Sequence, residues 1–146
     1  SDVCSSDLKI IAYVQELMND PALSWRDAVK QFLHACCYGE KNGIAVLTIE
    51  EQQLIFKRLS KESCQVFRGR QLRLFGQILE NFGIRADTAR VSLFTNLSLT
   101  VMVVRRAIPN TLPLLIPEVV DETVDFQINA IVDALEILKE QNPQPQ

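Results

Sequence analysis

A single histidine in 146 residues leaves proton-transfer catalysis and most metal chemistry little to work with. That histidine, His34, lies two residues before the adjacent Cys36 and Cys37. A Cys–His pair can generate a nucleophilic thiolate, and His-x-Cys-Cys offers metal ligands. At helical spacing, however, the three side chains point in different directions, and Cys64 is remote in sequence. Packing or a surface imidazole is the simpler role. Cysteine is also sparse, and two of the four are adjacent, a poor framework for disulfides. Reduced thiols in a cytoplasmic protein are expected. The five glycines form no phosphate-cradling loop and no G-x-S-x-G elbow. The expectation is therefore no enzyme: no catalytic residue, no metal and no cofactor. Long hydrophobic runs are missing too. The longest uncharged stretch, residues 91–104, falls short of the roughly 20 residues a spanning helix needs. Thr95, Asn96, Ser98 and Thr100 interrupt it, so it reads as a buried helix, and no membrane partner is expected.

An initiating methionine is absent as well. The opening S-D-V-C-S-S-D-L has neither the basic start nor the apolar run of a signal peptide. It resembles the in-frame translation of a common short-read sequencing adapter. Residues 1–8 are accordingly expected to be extraneous, 9–140 to form the domain, and 141–146 to be a disordered tail. On this reading the chain is a fragment whose natural sequence began before Lys9. Setting aside Asp2 and Asp7 moves the formal charge from −3 to −1. A near-neutral domain is not by itself a nucleic-acid binder.

What is present is helical period almost throughout. Ile10, Ile11, Val14, Leu17 and Met18 make one amphipathic stripe, stopped at Asn19-Asp20-Pro21. Ser24 can cap a second helix that carries Ala28, Val29, Phe32, Leu33 and Cys36 as far as Tyr38-Gly39. Glu40-Lys41-Asn42-Gly43 reads as loop. Thr48-Ile49-Glu50-Glu51 is a capping box opening a long periodic stretch to Phe82, bent or broken within 60–63 or at Gly69 and terminated by Gly83. Asp87 can cap a helix from Thr88 to Ala107 that is apolar on nearly every face. Pro109, Pro113 and Pro117 bracket a linker, and Pro117 suits the start of the last helix. The fold class is all-α, a bundle of five to six helices.

The cations Lys57, Arg58, Lys61, Arg68, Arg70 and Arg73 stand against the single acid Glu62 over residues 57–73. They spread round the helix, so a solvated face is expected, with some free to meet an acidic ligand. The last two helices carry more apolar surface than amphipathic neighbours would cover. Val120, Val124, Ile128, Ile131, Leu135 and Leu138 run at near-heptad spacing. Burying such a seam against a second copy is favourable at ~25 cal/mol per Å². The expectation is a homodimer in which the last two helices of each chain form a four-helix bundle. Its interface would comprise Leu97, Val101 and Val104 with Val124, Ile128, Ile131 and Leu135. Asn96 and Thr100, four residues apart, suggest polar groups in an apolar pocket.

These stretches form a series: Trp25-Arg26-Asp27-Ala28-Val29-Lys30-Gln31-Phe32-Leu33, then Leu79-Glu80-Asn81-Phe82-Gly83, the apolar helix, and the closing P-E-V-V-D-E-T-V-D-F-Q-I-N-A-I-V-D-A-L. The series resembles the C-terminal effector-binding and dimerisation region of TetR-family transcriptional regulators. The resemblance implies a ligand cavity within each protomer, with Trp25, Phe32, Phe67, Arg68, Asn96 and Thr100 as walls and a small apolar or aromatic effector. It also implies DNA contact only through an N-terminal helix-turn-helix domain that this chain lacks. The rival expectation is a helical protein–protein interaction or scaffold domain with no small-molecule site.

Overall fold

The computed structural model describes residues 5–39, 49–107 and 115–141. Six helices are formed among them: α1 (Ser5–Asn19), α2 (Trp25–Cys37), α3 (Ile49–Arg58), α4 (Lys61–Asn81), α5 (Thr88–Ala107) and α6 (Val120–Gln141). The all-α class is therefore shown. Among the described residues, no helix is long and apolar enough to cross a membrane.

The helix ends follow from local chemistry. Ser24 Oγ accepts the Asp27 backbone N–H at 3.1 Å, satisfying one orphan donor at the start of α2. The predicted break in the long periodic stretch falls at Leu59-Ser60, where Ser60 Oγ caps α4 through Ser63 N. Gly69 is carried inside α4 without interruption. Gly83, at φ +79°, closes α4 in a left-handed turn. Gly83 N–H donates to Glu80 and Ile84 N–H to Leu79, the pairing that satisfies trailing helix carbonyls. Asp87 Oδ1 then accepts Arg90 N–H at 2.8 Å to open α5. That bond, with the Arg90 guanidinium alongside, holds the Asp87 carboxyl below the usual range. A 3₁₀ turn over Pro117–Val119 precedes α6. Pro117 thus opens that turn and not the α-helix. The turn over residues 5–8 is continuous with the rest of α1. The predicted loop 40–43, Thr48, the linker prolines Pro109 and Pro113 and residues 142–146 lie outside the described residues.

Four phenylalanines lock the centre. Phe94 of α5 meets Phe75 of α4 edge-on, with ring centroids 5.6 Å apart. It also sits 6.4 Å from both Phe32 of α2 and Phe82, and Phe32 meets Phe82 at 5.7 Å. All four are buried. Edge-to-face pairs add about 0.5–1.5 kcal/mol each beyond area burial. Val14, Leu33, Leu79 and Ile84 extend this core.

Helix α6 packs on both α2 and α5, and this corrects one expectation. Val124, Ile128, Ile131 and Leu135 are buried within the protomer, as is Val101 of α5. They were expected to face a second copy. Because α2 crosses α6 beside α5, the protomer covers this seam itself. Leu97 and Val104 are half-buried and stay at the surface of α5. The placement is fixed by polar ties at the rim: Arg26 bridges α2 to Asp133 (2.6 Å) and Glu136 (3.2 Å) of α6.

Phe94→Ala is expected to cost about 3–5 kcal/mol, by removing the ring shared by three helices. Leu54→Ala, on the exposed side of α3, should stay within about 0.5 kcal/mol. Urea unfolding of both variants checks this, and a Phe94→Ala cost below about 1 kcal/mol would contradict the aromatic centre.

Candidate ligand cleft between helices 3, 4 and 5

Two helical stripes face each other across an open cleft of about 920 Å³. Helix α4 contributes Lys61, Cys64, Gln65, Arg68, Gln71 and Leu72, at spacings of three and four that define one face. From α5 come Ser92, Thr95, Asn96 and Leu99, again one face. Phe56 of α3 overhangs the opening and meets Phe67 edge-on at 5.6 Å. The volume lies in the usual range for small-molecule sites, about 300–1,000 Å³.

The polar groups differ in how far they are already engaged. Thr95 Oγ donates to the Val91 carbonyl at 2.7 Å, so its hydroxyl is spent on the helix. Gln65 and Asn96 are exposed amides at the mouth, and Gln71 and Ser92 are half-buried deeper in. The charged walls, Lys61 and Arg68, are both cationic and lie one heptad apart on α4.

Three of the six predicted wall residues come together here: Phe67, Arg68 and Asn96. The other three do not, and each is corrected by its own packing. Trp25 Nε1 donates to the Phe82 carbonyl at 2.7 Å while the Lys139 ammonium lies over its ring, 4.6 Å from the centroid. Trp25 therefore fastens α2 to the end of α4 and to α6. Phe32 is buried in the aromatic centre. Thr100 is exposed, and its hydroxyl bonds back to the Asn96 carbonyl at 2.5 Å. Phe67 is exposed at the cleft mouth. Sequence reasoning missed Phe56, Lys61, Cys64, Gln65, Gln71, Leu72, Ser92, Thr95 and Leu99 as walls. The polar positions 61, 65, 68 and 71, at spacings of four, three and three on one face of α4, were the available signal.

His34 is exposed and stacks on Tyr38 with centroids 4.4 Å apart. Among the described residues, no three His, Cys, Asp or Glu side chains are grouped to hold a metal. Comparison of the chain with family models, curated proteins and solved structures gives no match.

A second polar cluster joins the ends of α2 and α5 to the start of α6. Tyr38 OH donates to Asp121 Oδ1 at 2.5 Å, and the Arg105 guanidinium lies over the Tyr38 ring at 4.5 Å. Burial, then the bond to Asp121, pushes the Tyr38 hydroxyl up to about 12 from its usual 10.0. A raised folded-state value means the stabilisation is complete below the unfolded value and lost as pH climbs toward the folded one. Stability should therefore fall between pH 10.0 and about 12. Tyr38→Phe should flatten that slope, leaving the smaller part owed to Tyr13, whose hydroxyl burial also raises. Denaturation followed by Trp25 fluorescence measures it, and an unchanged slope in Tyr38→Phe would contradict the assignment.

Proposed function

We propose that this chain is the ligand-responsive, dimerising effector domain of a TetR-like transcriptional regulator. The observation that carries the reading is an exposed, heptad-spaced face running from the 3₁₀ turn along α6, in a protomer that also holds the α3–α4–α5 cleft. Val119, Thr123, Phe126, Ala130, Asp133 and Ile137 recur at spacings of 4, 3, 4, 3 and 4, and all are exposed. Phe126 is 77% accessible. On the adjoining α5, Leu93, Leu97, Thr100 and Val104 follow the same spacing. Helix α6 thus has an apolar seam spent on the protomer and a second, mixed face on which Phe126, Ala130 and Ile137 stay exposed. A two-fold axis along that second face assembles two helices from each chain into a four-helix bundle.

The proposed mechanism is a population shift. DNA-reading heads of the kind the resemblance implies would precede α1 and engage half-sites about one helical turn apart. A small molecule in the cleft touches α3, α4 and α5 together. If it favours one arrangement of those helices, it shifts the head spacing by no more than its differential affinity for the two states.

A second reading is an interaction domain without a small-molecule site. The observation that favours it is the exposure of Leu54, Ile55 and Val66 on α3 and α4, with Val66 63% accessible. Exposed apolar clusters of this kind mark partner surfaces.

Sedimentation velocity separates folding from assembly. The unsubstituted chain is expected to run as a dimer, and Phe126→Glu as a soluble folded monomer. Val124→Glu, which buries a charge in the protomer core, should fail to fold. A folded monomer from the unsubstituted chain, or an unchanged dimer from Phe126→Glu, would reject the dimer face.

A further inference from the structure

We infer that the α3–α4–α5 cleft selects an anionic amphiphile, a compact aromatic or aliphatic body bearing one acidic group. The inference rests on the ligand-domain reading and names the chemistry of the ligand. Among the described residues, every charged side chain lining the cleft is cationic: Lys61 at the first turn of α4 and Arg68 two turns on. No carboxylate of the described residues lines it, although Glu62 stands beside Lys61 in sequence. Neither cation is in an ion pair with any described residue. Arg70, Arg73 and Arg85 are likewise outside any ion pair with a described residue, so what marks the cleft is the sign of its lining.

Charge alone would fit any anion, so the apolar walls restrict the class. Phe56 and Phe67 form an edge-to-face pair at the mouth, while Leu72 and Leu99 line the interior. A flat apolar body can lie against these walls and place its acidic group between Lys61 and Arg68. The guanidinium offers a planar fork matched to a carboxylate or sulfonate, and the ammonium supplies a mobile second donor. Gln65, Gln71 and Asn96 offer amide N–H groups to the remaining acceptor oxygens. A cationic amphiphile would meet two like charges with no carboxylate to offset them.

Two dyes share one ring system and differ in charge. Anilinonaphthalene sulfonate is anionic, and N-phenylnaphthylamine is its neutral counterpart. Fluorescence titration of the whole chain with both, at low and high salt, is paired with site-resolved alkylation of Cys64, a half-buried thiol on the cleft wall. The sulfonate is expected to protect Cys64 and to bind about tenfold more tightly than the neutral dye. The combined variant Lys61→Gln with Arg68→Gln should weaken the sulfonate about tenfold and leave the neutral dye unchanged, as two exposed charge contacts would. Added salt should weaken the sulfonate alone. If both dyes protect Cys64 equally and the variant changes neither, the cleft is a ligand site indifferent to charge; the inference falls and the ligand-domain reading stands. If neither dye protects Cys64, the ligand-domain reading falls and takes the inference with it. Protection of Cys64 that rises with protein concentration in the absence of dye would mean that a second copy occupies the cleft, which also overturns the inference.

Discussion

The position of Phe94 constrains everything else in the fold. Its ring is fully buried against Phe32, Phe75 and Phe82, so three helices must bring their aromatics to one point. That fixes the rotation of α5 about its axis. With Val91, Phe94, Ser98 and Val101 turned inward, Ser92, Asn96 and Leu99 must face the α4 side, and Leu93 and Thr100 must face out. The cleft and the outer apolar stripe are two consequences of one packing decision. Interiors packed at crystal-like density tolerate little rotation of such a helix.

The polar contacts orient the helices more than they hold them together. Arg26 remains partly exposed, and surface ion pairs of this kind contribute about 0–1 kcal/mol. Their value lies in geometry. Arg26 with Asp133 and Glu136 at one end, and Tyr38 with Asp121 at the other, set α6 along α2. Trp25 adds a third tie through the Phe82 carbonyl, whose own segment ends α4. Held at both ends, α6 has no freedom to present its Val124–Leu135 seam anywhere but inward.

Local chemistry was legible in the sequence, and the choice between faces was not. Ser24, Gly83 and Asp87 act on neighbours within a few residues, so the ends of α2, α4 and α5 could be read from residue type. The break at Ser60 fell within the predicted window for the same reason. Helix α6 carries an apolar seam and, on another face, exposed Phe126, Ala130 and Ile137, and periodicity alone cannot say which of the two α2 covers. Trp25 was misassigned because its partner is a backbone carbonyl 57 residues away, which leaves no trace in residue type. Phe67, Arg68 and Asn96 fall together on one cleft between α3, α4 and α5, while Phe32 was drawn into the core by an aromatic cluster that arises only in three dimensions.

The result is a bundle in two mechanical parts. Helices α2 and α5 and the second half of α4 share the aromatic centre, and α1 and α6 pack around it. Helix α3 and the first turns of α4 stand outside it, with Leu54, Ile55, Phe56, Val66 and Phe67 left exposed. Local opening costs least where few apolar groups are buried. A segment that can shift at little cost is what a ligand-responsive element needs, and here that segment forms one wall of the cleft. Native-state hydrogen exchange resolved by residue tests this division directly. The account predicts amides of α5 and of residues 75–82 exchanging only through global unfolding, and amides of α3 and residues 61–68 exchanging through a far cheaper local opening. Protection of α3 equal to that of α5 would contradict it, because the cleft wall would then belong to the core.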